Sequence, residues 1–218
     1  MQRRLEPQLM LKDYSVKAFA EADKTPTRKL FLKLLDDYFS PKTFNNVLDL
    51  CCGPAQYTID LAEMLYCQID AIDGSSPMLD IAKTNIEESG LDHCIQLHNL
   101  HLPFITDKKY DLIVCVNSLH HFHNPKDFWI TLKHHSKKGT SVLVIDLARP
   151  KTSPSKVVEY YSSNESRYFQ NDFYNSLHAA FTKEEVQGQL YNLGLDLNVE
   201  YQPSALDGFG MIIVWGEL

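Results

Sequence analysis

The rhythm of apolar and polar positions changes twice along this chain. Over the first forty residues, DYSVKAFAEADK (13–24) and PTRKLFLKLLDDYF (26–39) place side chains such as Leu30, Phe31, Leu34, Leu35 and Tyr38 at helical spacing. Pro26 suits the first turn of the second helix. From residue 46, short apolar runs alternate with helical stretches. NVLDL (46–50), QIDAID (68–73), CIQLHN (94–99), YDLIVCV (110–116) and TSVLVIDL (140–147) read as strands. QYTIDLAEML (56–65), PMLDIAKTNIEES (77–89) and a stretch over 125–137 read as helices, with Ser76 as N-cap and Pro77 opening the second of them. This alternation predicts an α/β fold built on a largely parallel, doubly wound sheet with right-handed crossovers. The continuous apolar character of LIVCV and VLVI fits strands buried on both faces. The third rhythm is polar and aromatic, over 151–181, with Tyr160, Tyr161, Tyr168, Phe169, Phe173, Tyr174 and Phe181. Thr182 to Glu185 then forms a capping box for a helix to about Leu193. LDLNVEY (195–201) and GMIIVWG (210–216) read as an antiparallel pair across a turn at Asp207-Gly208.

No repeat or low-complexity tract interrupts the 218 residues, and the length suits one domain. Twenty-one Lys and Arg against 28 Asp and Glu leave a net charge of −7, a poor match for phosphate-backbone binding. No apolar run approaches the ~20 residues of a membrane helix. The opening MQRRLEPQLM lacks the apolar stretch of a secretory signal. The five cysteines (51, 52, 67, 94 and 115) are odd in number and show no C-x-x-C spacing, so they read as reduced thiols. A cytoplasmic protein with no nucleic-acid or membrane partner, monomer or homodimer, is the expectation.

The most informative segment is VLDLCCGPA (47–55), in which a strand carrying Asp49 runs into a tight loop with Gly53 and then a helix. Small residues there allow a ligand to approach the backbone, and the helix N-terminus behind the loop offers unpaired N–H groups. A dinucleotide would want G-x-G-x-x-G, whereas Cys51 to Gln56 holds one glycine and Pro54 removes an N–H. The second strand ends at Asp73, where an acid can accept both hydroxyls of a ribose.

These features resemble motif I, D-x-G-x-G-x-G, of class I S-adenosylmethionine (SAM)-dependent methyltransferases, with Cys51 and Ala55 in place of the first and third glycines. IDGSSPML (72–79) resembles the family's V-D-x-S-x-x-M-L, and YDLIVCVNSLHHF (110–122) resembles its motif IV. Small bacterial methyltransferases are similar in RRLEPQLM, AFAEAD, DLARP, DFYNSLHAAFT and VWG, and the methyltransferase of ovothiol biosynthesis, which methylates an imidazole nitrogen, is faintly so. The resemblance implies a Rossmann-like seven-stranded sheet, mostly parallel, closed by an antiparallel C-terminal strand. It implies an N-terminal helical cap (1–40), a cofactor core (44–147), a helical, aromatic substrate lid (151–181) and a C-terminal helix with a strand pair (182–218). It implies SAM as cofactor. Asp73 would bind the ribose; Asp49, Cys51, Gly53 and Ala55 the methionine end; Gly74, Met78, Asn99 and Leu100 the adenosine; Asn117 the amino or carboxylate group; and Tyr14 would close over it.

For the acceptor side the candidates are Phe19, Asn117, His121, Tyr160, Tyr161, Phe173, Tyr174 and Asn175, an apolar surface with a few polar groups as small-molecule pockets have. Because the methyl donor is already activated, positioning and exclusion of water carry most of the catalysis, and a general base is needed only where the nucleophile keeps its proton. His120, His121, Asp172 and Tyr174 are the candidates for that base. No acid or Cys stands at metal-ligand spacing from His120, His121 and His123, so no metal is expected. His134 and His135 read as surface residues, and Cys51-Cys52 as small packing residues rather than a redox pair. Asn117-Ser118-Leu119-His120 departs from the N-P-P-[FY] of base amino-group methylation, no Pro-Cys exists for cytosine C5 chemistry, and no acid cluster follows the fourth strand for metal-dependent catechol methylation. Methyl transfer to a heteroatom of a small metabolite remains, a thiohistidine-type imidazole nitrogen among the options. A non-catalytic SAM-binding protein or partner subunit is the alternative, and a nicotinamide oxidoreductase a more distant one.

Overall fold

A computed structural model describes residues 1–218. The N-terminal periodicity becomes α1 (Asp13–Glu21) and α2 (Thr25–Phe39). The alternating region becomes β1 (Asn46–Leu50), α3 (Gln56–Leu65), β2 (Gln68–Asp73), α4 (Ser76–Ser89), β3 (Ile95–Asn99), β4 (Tyr110–Val116), α5 (Pro125–His135) and β5 (Ser136–Leu147). The sheet order is β3-β2-β1-β4-β5-β7-β6, where β6 is Asn198–Pro203 and β7 is Gly210–Glu217. β3 to β5 run parallel, and β7 inserts antiparallel between β5 and β6. Neighbouring residues of β4 point to opposite faces, as the two-residue strand period demands. Leu112 packs with Phe31, Leu35 and Leu61 on one face, and Ile113 with Phe128, Trp129 and Leu132 on the other.

Two local readings are corrected, and the expected helical lid resolves into its helices. Ser75, not Ser76, caps α4: its backbone is extended and its hydroxyl accepts the Met78 N–H at 3.4 Å, while Ser76 is already helical. The aromatic stretch is two helices, α6 (Pro154–Ser162) and α7 (Arg167–Ala179), followed by α8 (Lys183–Leu193) with its capping box intact. His135 is buried, not on the surface. The end of α5 tucks it beneath Phe104 and Tyr110, where Nδ1 lies 2.9 Å from the Lys108 carbonyl. His134 is half-buried, its Nε2 2.8 Å from the Thr106 carbonyl.

Residues 1–12 form neither helix nor strand but a strap across the C-terminal ends of the strands. The Arg3 guanidinium donates to the carbonyls of Ala179 (2.6 Å), His120 and Phe122 (both 2.9 Å). The Arg4 N–H donates to the His178 carbonyl, and the Ser75 hydroxyl donates to the Met10 carbonyl at 2.5 Å. No helix is long and apolar enough to cross a membrane. All five cysteines are free thiols.

Candidate active site

The loop after β1 has its backbone in the left-handed region at three alternating positions, Cys51 (φ 65°), Gly53 (φ 54°) and Ala55 (φ 63°). These are the positions that glycine fills in D-x-G-x-G-x-G. The two side chains there cost roughly 1–2 kcal/mol each, which the surroundings must offset. Part of the offset is the Cys52 N–H donating to the Ile72 carbonyl at 2.9 Å, which ties the loop to β2. Asp73, at the tip of β2, accepts the Gly53 N–H on one oxygen (2.9 Å) and the Ser75 N–H on the other (2.8 Å). Burial raises its pKa, and these backbone donors oppose the rise. Asp49 lies beneath the loop with the Thr58 hydroxyl donating to it at 2.6 Å, and burial pushes it up to about 7.

Above this loop lies a cleft of about 250 Å³, lined by Cys51, Gly53, Asp73, Gly74, Met78 and Leu100. Gln8, Leu9 and Met10 of the strap form its outer wall. A Cβ on Gly74 would come within 2.8 Å of the His101 ring and 2.9 Å of Leu9, so any larger residue here would push those side chains aside. A second cavity of about 290 Å³ opens beside it, walled by Tyr161, Phe169, Phe173 and Phe209, with His120 and Asp172 also in its lining. Met10, Phe19, Lys24, Asn117 and His121 line both spaces, so the two meet.

The polar groups at this junction are held tightly. Asn117 takes a left-handed turn (φ 53°) at the end of β4, and its side-chain oxygen is buried without a partner. His120 follows in a short 3-10 turn, Leu119–His121. Asp146 of β5 anchors it twice, accepting the His120 backbone N–H at 2.7 Å and lying 2.6 Å from Nδ1. That leaves Nε2 3.5 Å from Glu6 Oε1, and His121 Nδ1 is 3.3 Å from the same oxygen. Burial pulls His120 down, but the carboxylates of Asp146 and Glu6 outweigh it and its pKa is raised. Burial and the neighbouring His120 push His121 down to about 3. Burial lifts Glu6 to about 7.

Other sequence candidates lie apart from both spaces. Ala55 is buried under the loop as the residue before α3. Asn99 is exposed, its amide donating to the Asp73 carbonyl at 3.3 Å. Tyr14 lies tilted against Tyr168, and Tyr160 meets Tyr161 edge-on, both at exposed positions. Helical geometry divides α7: Asp172, Phe173 and Ser176 reach the cavity, while Tyr174 turns to His178 and Asn175 lies outside the lining. Glu6 carries no local signal, standing far along the chain from His120. Asp146 did leave one, as the only charged residue in an otherwise apolar strand core. Glu6 also supplies the acid that the spacing around the histidines lacks: ligand atoms of Glu6, His120 and His121 lie within 4.8 Å of one another, close enough to share an ion.

Residues 47–149 match the family model of a methyltransferase domain. This region is a methyltransferase domain. Among curated proteins, the methyltransferase domain is similar to the ribosomal protein uL3 glutamine methyltransferase of Neisseria gonorrhoeae, 38% identical over 93 residues, which covers 40% of this chain and 31% of that protein. It is also similar to the demethylmenaquinone methyltransferase of Lactiplantibacillus plantarum, 27% identical over 110 residues, 48% of this chain and 46% of the relative. The match thus spans less than half the length of either relative. Among solved structures, the plantazolicin methyltransferase BpumL in complex with SAH superposes with a TM-score of 0.72 at 17% identity, covering 94% of this chain and 90% of that one. A SAM-dependent methyltransferase from Aquifex aeolicus superposes at 0.66 with 17% identity, covering 94% and 99%. Both superpositions cover more of the chain than residues 47–149 alone.

Proposed function

We propose that this chain transfers a methyl group from SAM to a heteroatom of a small molecule held in the second cavity. The observation that carries the reading is the junction of the two spaces at Phe19, Asn117 and His121. The residues present fit the cofactor. Each Asp73 oxygen already accepts one backbone N–H and keeps a lone pair for a ribose hydroxyl. The unpartnered Asn117 oxygen suits an ammonium group, and the Cys51–Ala55 loop leaves backbone open beside it. Bound SAM supplies a methyl group already activated on a sulfonium.

The chain's own work is orientation, exclusion of water and, for a protonated nucleophile, removal of a proton. His120, oriented by Asp146 through Nδ1 and facing Glu6 through Nε2, is the group placed to take part in that transfer. Asp172 borders the same cavity. Tyr174 stands behind it and has a supporting rather than a proton-handling position. Imidazole nitrogens of thiohistidine-type compounds are the finer acceptor candidates to screen first.

Calorimetric titration with S-adenosylhomocysteine tests the reading. The folded wild type binds saturably, NAD does not, and Asp73→Ala raises Kd by about tenfold or more, as loss of hydrogen bonds to a charged acceptor would. Asp73→Asn, which keeps the loop's shape, raises it less. Absence of binding to a chain with native circular dichroism would overturn the proposal.

A further inference from the structure

One carboxylate oxygen in the wall of the second cavity is unmet: Asp172 Oδ2 is buried and has no hydrogen-bond partner. A buried acceptor without a donor costs about 1–3 kcal/mol, more if charged, so it marks a place where a ligand brings the donor. The charge around it points the same way. Asp23, Glu165 and Asp172 line the cavity, with Glu6 behind His120, while Lys24 is the one Lys or Arg in the lining. The Lys24 ammonium is already bonded to the Phe19 and Ala22 carbonyls and lies over the Phe19 ring. The opposite walls are the rings of Tyr161, Phe169, Phe173 and Phe209, whose faces attract cations.

We infer that the acceptor substrate is a protonated nitrogen compound, an amine or an imidazole, whose N–H group is bound by Asp172, with Glu6 adding negative charge from behind His120. This deepens the methyltransferase reading and rests on it. A carboxylate or phosphate would meet uncompensated carboxylates here, and an alcohol would bring no charge to offset them. The step balances without a co-reactant. The bound N–H proton passes to the Glu6–His120 pair, and the freed nitrogen lone pair forms the N–C bond. The C–S bond breaks with its electrons staying on sulfur. The products are the methylated nitrogen compound and S-adenosylhomocysteine.

Four small probes test this on the full chain saturated with S-adenosylhomocysteine: 2-phenylethylamine, histamine, 2-phenylethanol and phenylacetate, titrated by NMR. The two cations bind about tenfold or more tighter than the alcohol, as charge-assisted bonds require, and phenylacetate binds least. The double variant Glu6→Gln, Asp172→Asn reduces the preference for amine over alcohol to below about threefold, while S-adenosylhomocysteine affinity stays within about twofold. Equal binding of amine and alcohol, or tighter binding of phenylacetate, overturns the inference. So does a stoichiometric divalent ion found by elemental analysis in the purified chain and lost in Glu6→Gln, because it would put positive charge beside the place assigned to a cation. If S-adenosylhomocysteine itself does not bind, the methyl-transfer reading fails. The same four probes on the chain alone then decide the cavity's preference separately.

Discussion

Asp49 is fully buried with one donor, the Thr58 hydroxyl, and that single bond does not replace the water a carboxylate gives up. Burial therefore raises its pKa from the ordinary 3.8 to about 7. The sign of the consequence is fixed: between those values the folded chain holds a proton that the unfolded chain has released. Asp49 thus favours the fold below about pH 4, and that contribution is lost as the pH rises through 7. Asp49→Asn keeps the bond from Thr58 and removes the titration. Urea unfolding should show the variant gaining on wild type from pH 4 to pH 8, by up to about 4 kcal/mol. Parallel pH profiles would mean that Asp49 is ionised at little cost. The loop residues above it were legible because each answers a local demand. Small side chains stand where φ is positive at Cys51, Gly53 and Ala55, and an acid stands at the strand tip at Asp73. Glu6 was not legible, because its place beside His120 depends on a strap that no periodicity announces.

The strap is also the element whose removal should be felt most directly at the cofactor cleft. It buries little apolar surface of its own and is held by Arg3, Arg4 and the Ser75–Met10 bond. Segments of this kind open at less than the global cost of unfolding. Gly74→Ala drives a methyl group into Leu9 and the His101 ring at 2.8–2.9 Å, so these side chains must give way, and lifting of the strap at Leu9 is the expected outcome. Trypsin should then cleave after Arg3 and Arg4 several-fold faster than in wild type, and S-adenosylhomocysteine should bind more weakly, with little change in Tm. Unchanged cleavage would show that His101 gives way instead of the strap. At this scale the strands and most helices followed from alternation and capping residues. The bounds of the two lid helices did not, because these helices pack around a small separate cluster of Val157, Leu177 and Phe209, with Phe173 against it, and not on the main core.

Over the whole molecule, a doubly wound sheet places every functional loop at one edge and divides the core into two bodies that meet only through the strands. Leu61 of α3 and Leu132 of α5 are fully buried on opposite faces and belong to different bodies. Truncating either to alanine removes the same methyl groups and leaves a cavity, at a cost of about 2–5 kcal/mol. Since the central strands are themselves close-packed, neither cavity can be filled from the other side. The double variant should therefore lose the sum of the two single losses within about 0.5 kcal/mol in urea unfolding. A shortfall above about 1 kcal/mol would mean that the sheet yields and the faces are coupled. The site needs the additive result. Asp73 on β2, Asn117 beyond β4 and Asp146 on β5 hold groups from three strands in register around one junction. A sheet that passed packing changes from face to face would move those groups relative to one another.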